Sequence, residues 1–428
     1  MAEIQLVETS LRDGNQSLWA ALGIDTARTL AIAPVMERAG FKAIDFTTST
    51  HMGVAVRYKQ QDPWERIRLM AAATPNTPLQ FMSTGFRFIS WETASPEFMA
   101  LAFRVLARNG IRRFCLADPM NDADSNVACA RMVKQGGGEY VIAALVYTLS
   151  PIHDDAHYVE RARKLAACPD VDAVYIKDPG GLLTPARART LVPAIRAAVH
   201  PKPLELHSHC TIGLAELAYM DAPEYGVSAL QCASGAAADG QSNPHALRVY
   251  RNLRELGHTV QVDEAALVEI DRYFSALAAA EGLQVGRPQS FDAAYLHHQL
   301  PGGMIGTMRR HLAESRIAHV EEAVMAEIGR VRLELGWPIA VRGGDWSASA
   351  LNHAVFRGDG ALTRFLLERG ASWTEEHGFG DNVCGTLSWA SLNEPTDDGH
   401  WVACARALLA HGMPPALHVL EQGHERLA

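Results

Sequence analysis

The feature that most constrains the fold is an alternation. From residue 1 to about 258, short apolar runs ending in polar residues alternate with longer segments of helical period. The runs are Ile4–Thr9, Ala43–Thr47, Pro78–Ser83, Arg112–Asp118, Tyr140–Thr148, Ala173–Asp178, Pro203–His209 and Ala229–Ala233. The segments between them cover roughly 25–39, 62–74, 95–109, 124–136, 155–168, 184–199, 212–220 and 243–257. In one of them Tyr158, Ala162 and Leu165 share a helical face, while Glu160, Arg161 and Lys164 are polar. Another opens with Thr184-Pro185, a cap residue followed by proline at the first helical position. Strands that are each followed by a helix predict an α/β fold, a (β/α)8 or TIM barrel, and the size agrees with the ~250 residues typical of it.

Two further segments follow. Residues 259–340 read as a helical extension, with Asp263–Glu281 and Ile317–Leu335 at helical spacing and Pro301-Gly302-Gly303 expected as a turn that allows close backbone approach. Residues 341–428 contain Ala350-Leu351-Asn352-His353-Ala354 and Phe365-Leu366-Leu367, echoed by Thr386-Leu387-Ser388-Trp389-Ala390 and Ala407-Leu408-Leu409. The spacing is near the ~33 residues of ankyrin repeats, so a short ankyrin-like helical segment is expected, its extra length within Asn393–Gly399. Two copies are few for a free-standing array, which predicts packing on the preceding helices and a protein partner at this end.

Composition narrows the function. The 428 residues are 48% apolar and 20% charged, which predicts a globular chain. A net charge of −9 with no basic run argues against nucleic acid. Neither a signal peptide nor a membrane-spanning stretch is evident. Seven scattered cysteines without a C-x-x-C pair fit a reduced, cytoplasmic protein.

The chemistry lies at the ends of the apolar runs. His207 and His209 are two residues apart on one strand, so both imidazoles face the same side. With Asp13 beside them they form a three-ligand site for zinc, manganese or cobalt with open positions. Lys177 ends another run. A protonated amine beside a metal is a like-charge conflict. It is relieved when the amine is neutral and forms Schiff bases, or when CO2 adds to give an anionic, ligating carbamate. Taken singly, such polar residues are loop or cap residues. Asp13, Thr47, Asp118, Lys177, His207 and His209 together mark the C-terminal face, where barrel enzymes carry their sites.

The ordered motifs Glu8-Thr9-Ser10-Leu11-Arg12-Asp13 with Gln16, Asp62-Pro63-Trp64-Glu65-Arg66, Asp118 with Asn121-Asp122, Tyr147-Thr148 with Ser150-Pro151-Ile152-His153, Ile176-Lys177-Asp178, His207-Ser208-His209 and Pro301-Gly302-Gly303 carry a family resemblance. Over residues 3 to about 338 the chain resembles the carboxyltransferase domain of pyruvate carboxylase, the oxaloacetate decarboxylase alpha chain and the transcarboxylase 5S subunit. The resemblance implies a divalent metal held by Asp13, Lys177 as a carboxylated lysine, His207 and His209. It implies Arg12 and Gln16 on a 2-oxo acid such as pyruvate or oxaloacetate. It also implies an enolate intermediate, a biotin carrier protein on a separate chain, and a homo-oligomer.

Two positions depart from that pattern. Thr84 stands where the family has an arginine that grips the substrate carboxylate, with Arg87 the nearest cation in sequence. Gln241 stands where the family has a proton-shuttling threonine, with Ser242 adjacent. No Met-Lys-Met biotinylation motif occurs. The leading reading is a metal-dependent carboxyltransferase or decarboxylase with Arg12, Gln16, Lys177 and Gln241 catalytic and Thr84 at the substrate. The alternatives are a biotin-independent carbon–carbon lyase or aldol/Claisen-type enzyme, and a non-catalytic interaction protein working through the repeat-like end.

Overall fold

The computed structural model describes residues 2–88, 93–334, 350–374, 382–393 and 399–413. The chain divides into two compact units, Met1–Val341 and Arg342–Ala428. The first is built on β1 (Glu3–Glu8), β2 (Ala43–Thr48), β3 (Leu79–Ser83), β4 (Ile111–Leu116), β5 (Tyr140–Val146), β6 (Ala173–Asp178), β7 (Leu204–Ser208) and β8 (Ala229–Cys232). Neighbours in sequence pair in parallel, and β1 pairs with both β2 and β8, so the sheet closes into the expected barrel. β6 coincides with its expected bounds.

Helices begin where the sequence supplies an oxygen. Asp25, Asp62, Ser95, Asp122, Asp154, Thr184 and Asp263 each accept a hydrogen bond from a first-turn backbone N–H. Pro63, Pro96 and Pro185 follow their caps, where a missing N–H costs nothing. The helix Ser49–Arg57 falls outside every segment expected to be helical. Its valines and glycine are weak helix formers. It is started by the Thr48 hydroxyl, which accepts from Thr50 N at 3.0 Å.

Strand alternation sorts the side chains into two cores. Val174 and Ile176 of β6, Leu204 and Leu206 of β7, and Leu230 of β8 face the helices. Met82, Cys115, Ala117, Ile142, Ala144, Val146, Ala173 and Tyr175 fill the barrel itself. At the N-terminal end of the barrel Glu205 is fully buried, 2.6 Å from Arg113 Nη2 and 2.8 Å from Lys42 Nζ. Arg113 Nε also donates to Gln80 Oε1 at 2.7 Å. The same strand therefore presents Glu205 at one end of the barrel and His207 near the other.

The extension belongs to the barrel's compact unit. A short strand β9 (Thr259–Val260) pairs with Glu3 and Ile4 of β1. Helix Glu264–Glu281 buries Ile270 and Phe274, and Tyr273 Oη donates to Arg28 O at 2.6 Å. Pro301-Gly302-Gly303 does not make the expected turn. Pro301 caps a helix whose body is Gly302–Glu314, and helix Glu321–Glu334 follows. A proline with extended ψ is a sound helix entry, and the glycines serve packing rather than reversal.

In the second unit, helices Ala350–Phe356 and Gly360–Leu367 form one pair, and Val383–Asn393 and Trp401–Ala410 form another. The pairs stack first on first and second on second. Leu351, Leu387 and Leu408 are fully buried, and Thr386 Oγ1 donates to Asn352 Oδ1 at 2.6 Å. The extra length expected within Asn393–Gly399 lies largely outside the described residues. Among the described residues no helix is long and apolar enough to cross a membrane, and the seven cysteines are free.

Glu8 ends β1 fully buried, with Oε1 accepting from Ser10 N at 2.9 Å. Burial, partly offset by bonds from Ser10 and Leu11, pushes its carboxyl up to about 7. The folded chain thus holds a proton that the unfolded chain loses near pH 4.5, so stability falls as pH rises from 4.5 to about 7. The expected decline is about 3 kcal/mol. Glu8→Gln should abolish this share of the decline, measured as the difference between wild-type and variant urea unfolding at pH 5 and pH 8. Parallel pH profiles for the two proteins would refute it.

Candidate metal centre at the barrel mouth

β1 runs directly into a π-helical turn, Ser10–Gly14, which lifts Arg12 and Asp13 over the C-terminal end of the barrel. π-Turns are rare and recur at functional sites. Arg12 is fixed between two carboxylates. Its Nε donates to Asp45 Oδ2 at 2.7 Å, its Nη2 meets the same group, and its Nη1 lies 3.0 Å from Asp13 Oδ1. Each terminal nitrogen keeps a further N–H.

β7 delivers the histidines. Asp13 Oδ2 lies 3.1 Å from His207 Nε2 and 3.2 Å from His209 Nε2, and all three residues are buried. Their ligand atoms lie within 4.8 Å of one another. Lys177 is the β6 register partner of His207, and its Nζ is 3.4 Å from His207 Nε2. The four expected ligands are thus brought together.

Proton positions decide what this cluster can hold. His209 Nδ1 faces the backbone carbonyl of Gln241, which can only accept, so the proton sits on Nδ1. His207 Nδ1 donates to Gln231 Oε1 at 2.9 Å, while Asn243 Nδ2 approaches its Nε2 at 3.4 Å. Both Nε2 atoms therefore turn lone pairs toward Asp13 Oδ2, itself a buried oxygen without a hydrogen-bond partner. Three lone-pair-bearing atoms converge, with Lys177 Nζ and Asn243 Nδ2 each 3.4 Å from His207 Nε2, and a divalent cation fits that donor set.

The electrostatics agree. Burial opposes the charge on Asp13, but the Arg12 guanidinium holds its carboxyl well below the usual range. Burial and the neighbouring Lys177 push His207 down to about 3, so it is neutral and ligand-ready. Burial also lowers Lys177, with Arg12 in the same direction and Asp13 opposing.

The remaining expected residues lie around this centre with different degrees of engagement. Gln16 sits in the short helix Asn15–Trp19, with Oε1 buried and without a partner. Thr84, just after β3, is buried with its hydroxyl likewise unpartnered. Arg87 does not supply the missing arginine: its Nη1 is drawn to Asp118 Oδ2 at 3.7 Å. Gln241 reaches the centre through its backbone carbonyl, while its side-chain Oε1 accepts from Gln284 Nε2 at 3.3 Å. Ser242 is fully buried.

Several supporting residues went unassigned in the sequence. Asn243 Oδ1 accepts from Thr9 Oγ1 at 2.8 Å while its Nδ2 donates to Ser208 O at 3.0 Å, tying β1 to β7. Asp178 is buried and accepts from Leu182 N, Leu183 N and Ser208 Oγ. Asp45 had a visible signal, a lone charge inside the apolar run Ala43-Ile44-Asp45-Phe46. Asn243 and Gln231 had none. A separate surface cleft of about 450 Å³, lined by residues such as Ser150, His153 and Arg187, lies at the β5 loop and includes none of the four clustered side chains.

One divalent ion per chain is the expected content of the purified protein, read by elemental analysis. His209→Ala and Asp13→Asn should lose it, and Lys177→Ala should weaken it. Equal metal content in all four proteins would overturn the ligand set.

No protein-family model matches the chain. Among curated proteins, a pyruvate carboxylase subunit of Methanocaldococcus jannaschii is 33% identical over 337 residues, which is 78% of this chain and 59% of that protein. The methylmalonyl-CoA carboxyltransferase 5S subunit of Propionibacterium freudenreichii subsp. shermanii is 28% identical over 337 residues, 78% of this chain and 66% of that one. The 2-oxoglutarate carboxylase large subunit of Hydrogenobacter thermophilus is 28% identical, with 78% and 51% covered. The chain therefore spans only 51 to 66% of the length of these relatives. Among solved structures, the carboxyl transferase domain of Rhizobium etli pyruvate carboxylase with pyruvate has a TM-score of 0.73 at 23% identity, covering 80% of this chain and 58% of that one. The same domain with pyruvate and biocytin has a TM-score of 0.76 at 19% identity, covering 96% and 76%. At these identities the likeness speaks for the fold alone.

Proposed function

We propose that this chain, a homologue of the Methanocaldococcus jannaschii pyruvate carboxylase subunit and of the methylmalonyl-CoA carboxyltransferase 5S subunit, is a metal-dependent carboxyltransferase. Its reaction passes a carboxyl group between carboxybiotin on a separate carrier protein and a 2-oxo acid of the pyruvate/oxaloacetate kind. The observation that carries this reading is the buried convergence of Asp13, His207 and His209 beside Lys177 in a chain with such relatives.

Asp13, His207, His209 and a carboxylated Lys177 would hold a divalent ion of the zinc, manganese or cobalt kind. When bound, such an ion supplies Lewis-acid polarisation and fixes the shape of the site. Lys177 is suited to carboxylation because its lowered basicity favours the neutral amine. The nitrogen lone pair attacks the carbon of CO2, an N–C bond forms, and the ammonium proton leaves to solvent. The product is an anion and removes the like-charge conflict.

Removing carboxyl from a 2-oxo diacid, or a proton from a 2-oxo acid, leaves an enolate. Arg12 is held in place by Asp45 and Asp13 and turns its remaining N–H groups to that oxygen, with Gln16 beside it. Thr84 offers a neutral hydroxyl donor to the substrate. The carrier step falls to the Gln241–Ser242 loop, whose glutamine cannot relay a proton as a hydroxyl does.

That loop, together with Thr84, favours a second reading: a biotin-independent carbon–carbon lyase or aldol/Claisen-type enzyme on the same metal barrel. Release of CO2 from oxaloacetate, with and without free biotin, separates the two. Release that free biotin accelerates supports the carboxyltransferase. No release from any 2-oxo diacid moves the assignment to the lyase. In either case Arg12→Gln should lower kcat by about 10²–10³-fold.

We assign the second unit as an ankyrin-like pair of repeats that docks a protein partner or a further copy of the chain. Ending the chain at Arg342 should then change its oligomeric mass or abolish partner capture. An unchanged mass with unchanged capture refutes this.

A further inference from the structure

Resting on the metal-centre reading above, we propose that Gln299 and Gly302 are positioning residues for the metal ligand His209. Gln299 pins the entry of helix Gly302–Glu314 to the loop after β5, and Gly302 lets that entry seat against the His209 ring.

The Gln299 amide spends its whole hydrogen-bonding capacity on this anchor. Its Oε1 accepts from Thr148 Oγ1 at 2.8 Å and from Leu149 N at 3.0 Å. Its Nε2 donates to Leu149 O at 3.0 Å and to Leu296 O at 2.8 Å. A glutamine amide has two acceptor lone pairs and two donor hydrogens, and all four are used. The residue is 7% exposed and sits at φ +51°, a left-handed backbone that non-glycine residues adopt only when their surroundings hold them there. Arg332, from helix Glu321–Glu334, donates to the same Thr148 hydroxyl at 2.5 Å. The anchor is therefore built from the barrel loop and two separate pieces of the extension.

Just beyond this anchor, the helix entry meets the metal centre. Gly302 N donates to Pro179 O at 2.7 Å, a second tether, in the loop after β6. A Cβ at Gly302 would stand 2.2 Å from Gln241 O and 2.5 Å from His209 Nδ1, closer than atoms approach. The same Gln241 carbonyl accepts the His209 Nδ1 proton. Helix entry, carbonyl and imidazole thus form one packed contact, and the direction of the His209 Nε2 lone pair follows from it. The next glycine differs. A Cβ at Gly303 meets nothing closer than 3.6 Å, the Gln16 Nε2 atom, which is ordinary contact.

That contrast makes the test. Zinc would be titrated into full-length metal-free wild type, Gln299→Met, Gly302→Ala and Gly303→Ala by calorimetry, with melting temperatures of the metal-free proteins measured alongside. Gln299→Met should weaken the zinc Kd by about 10–100-fold, the usual loss when a group orienting a ligand is removed. Gly302→Ala should weaken it at least as much, and Gly303→Ala should leave it unchanged. A role confined to folding would lower the melting temperature of Gln299→Met and leave the zinc Kd of the folded protein at its wild-type value, which overturns the proposal. Equal losses for Gly302→Ala and Gly303→Ala overturn it as well. If Gly302→Ala does not fold, Gln299→Met decides alone. Wild type that binds no zinc, manganese or cobalt sinks the metal reading itself and this inference with it.

Discussion

Three lone pairs pointed at one buried place are the constraint to which the rest of the barrel mouth answers. Asp13 Oδ2, His207 Nε2 and His209 Nε2 meet there at distances that one cation could share. Everything around them keeps the lone pairs where they are. Arg12 holds Asp13 from one side, Gln231 and the Gln241 carbonyl fix the two imidazole tautomers, and Asn243 laces β1 to β7. The number of groups committed to this cluster supports the proposed ion over a chance meeting of polar residues.

Much of the fold was legible because its signals are local. The short apolar runs marked the strands, and each run ended in a residue that the closed barrel gathers at one mouth. Thr184 before Pro185 marked one helix start, and the structure caps others in the same way at Asp62, Ser95 and Asp122. His207 and His209 announced themselves by spacing alone. What escaped was set by tertiary contact. Ser49–Arg57 has poor helix formers and becomes helical because Thr48 caps it. Pro301-Gly302-Gly303 carries the composition of a turn, yet Gly302 stands where His209 and Gln241 leave no room for a Cβ.

The candidate site divides in the same way. Asp13, Lys177 and the histidines belong to motifs, whereas Asn243, Gln231 and Gln299 are single polar residues with no pattern around them. Their importance comes from which atom each one faces, and pairings separated by 24 to 234 residues leave no trace in local sequence. Thr84 and Gln241 form a third class. They are visible only as departures from the family resemblance, and the structure adds that Arg87 is occupied with Asp118 and that the Gln241 side chain turns toward Gln284.

The ion cluster at the opposite end of the barrel has its own bearing on how the protein works. Glu205, Arg113 and Lys42 interlock there through ion pairs and Gln80 through a hydrogen bond, beneath the apolar residues of the barrel interior. The cluster of Asp13, His207 and His209 lies at the other end, bordered by the helix that begins at Gly302. One strand, β7, carries both, with Glu205 in closed ion pairs at the base and His207 in the cluster at the mouth, so a slip of its register at the base would be felt directly by the cluster.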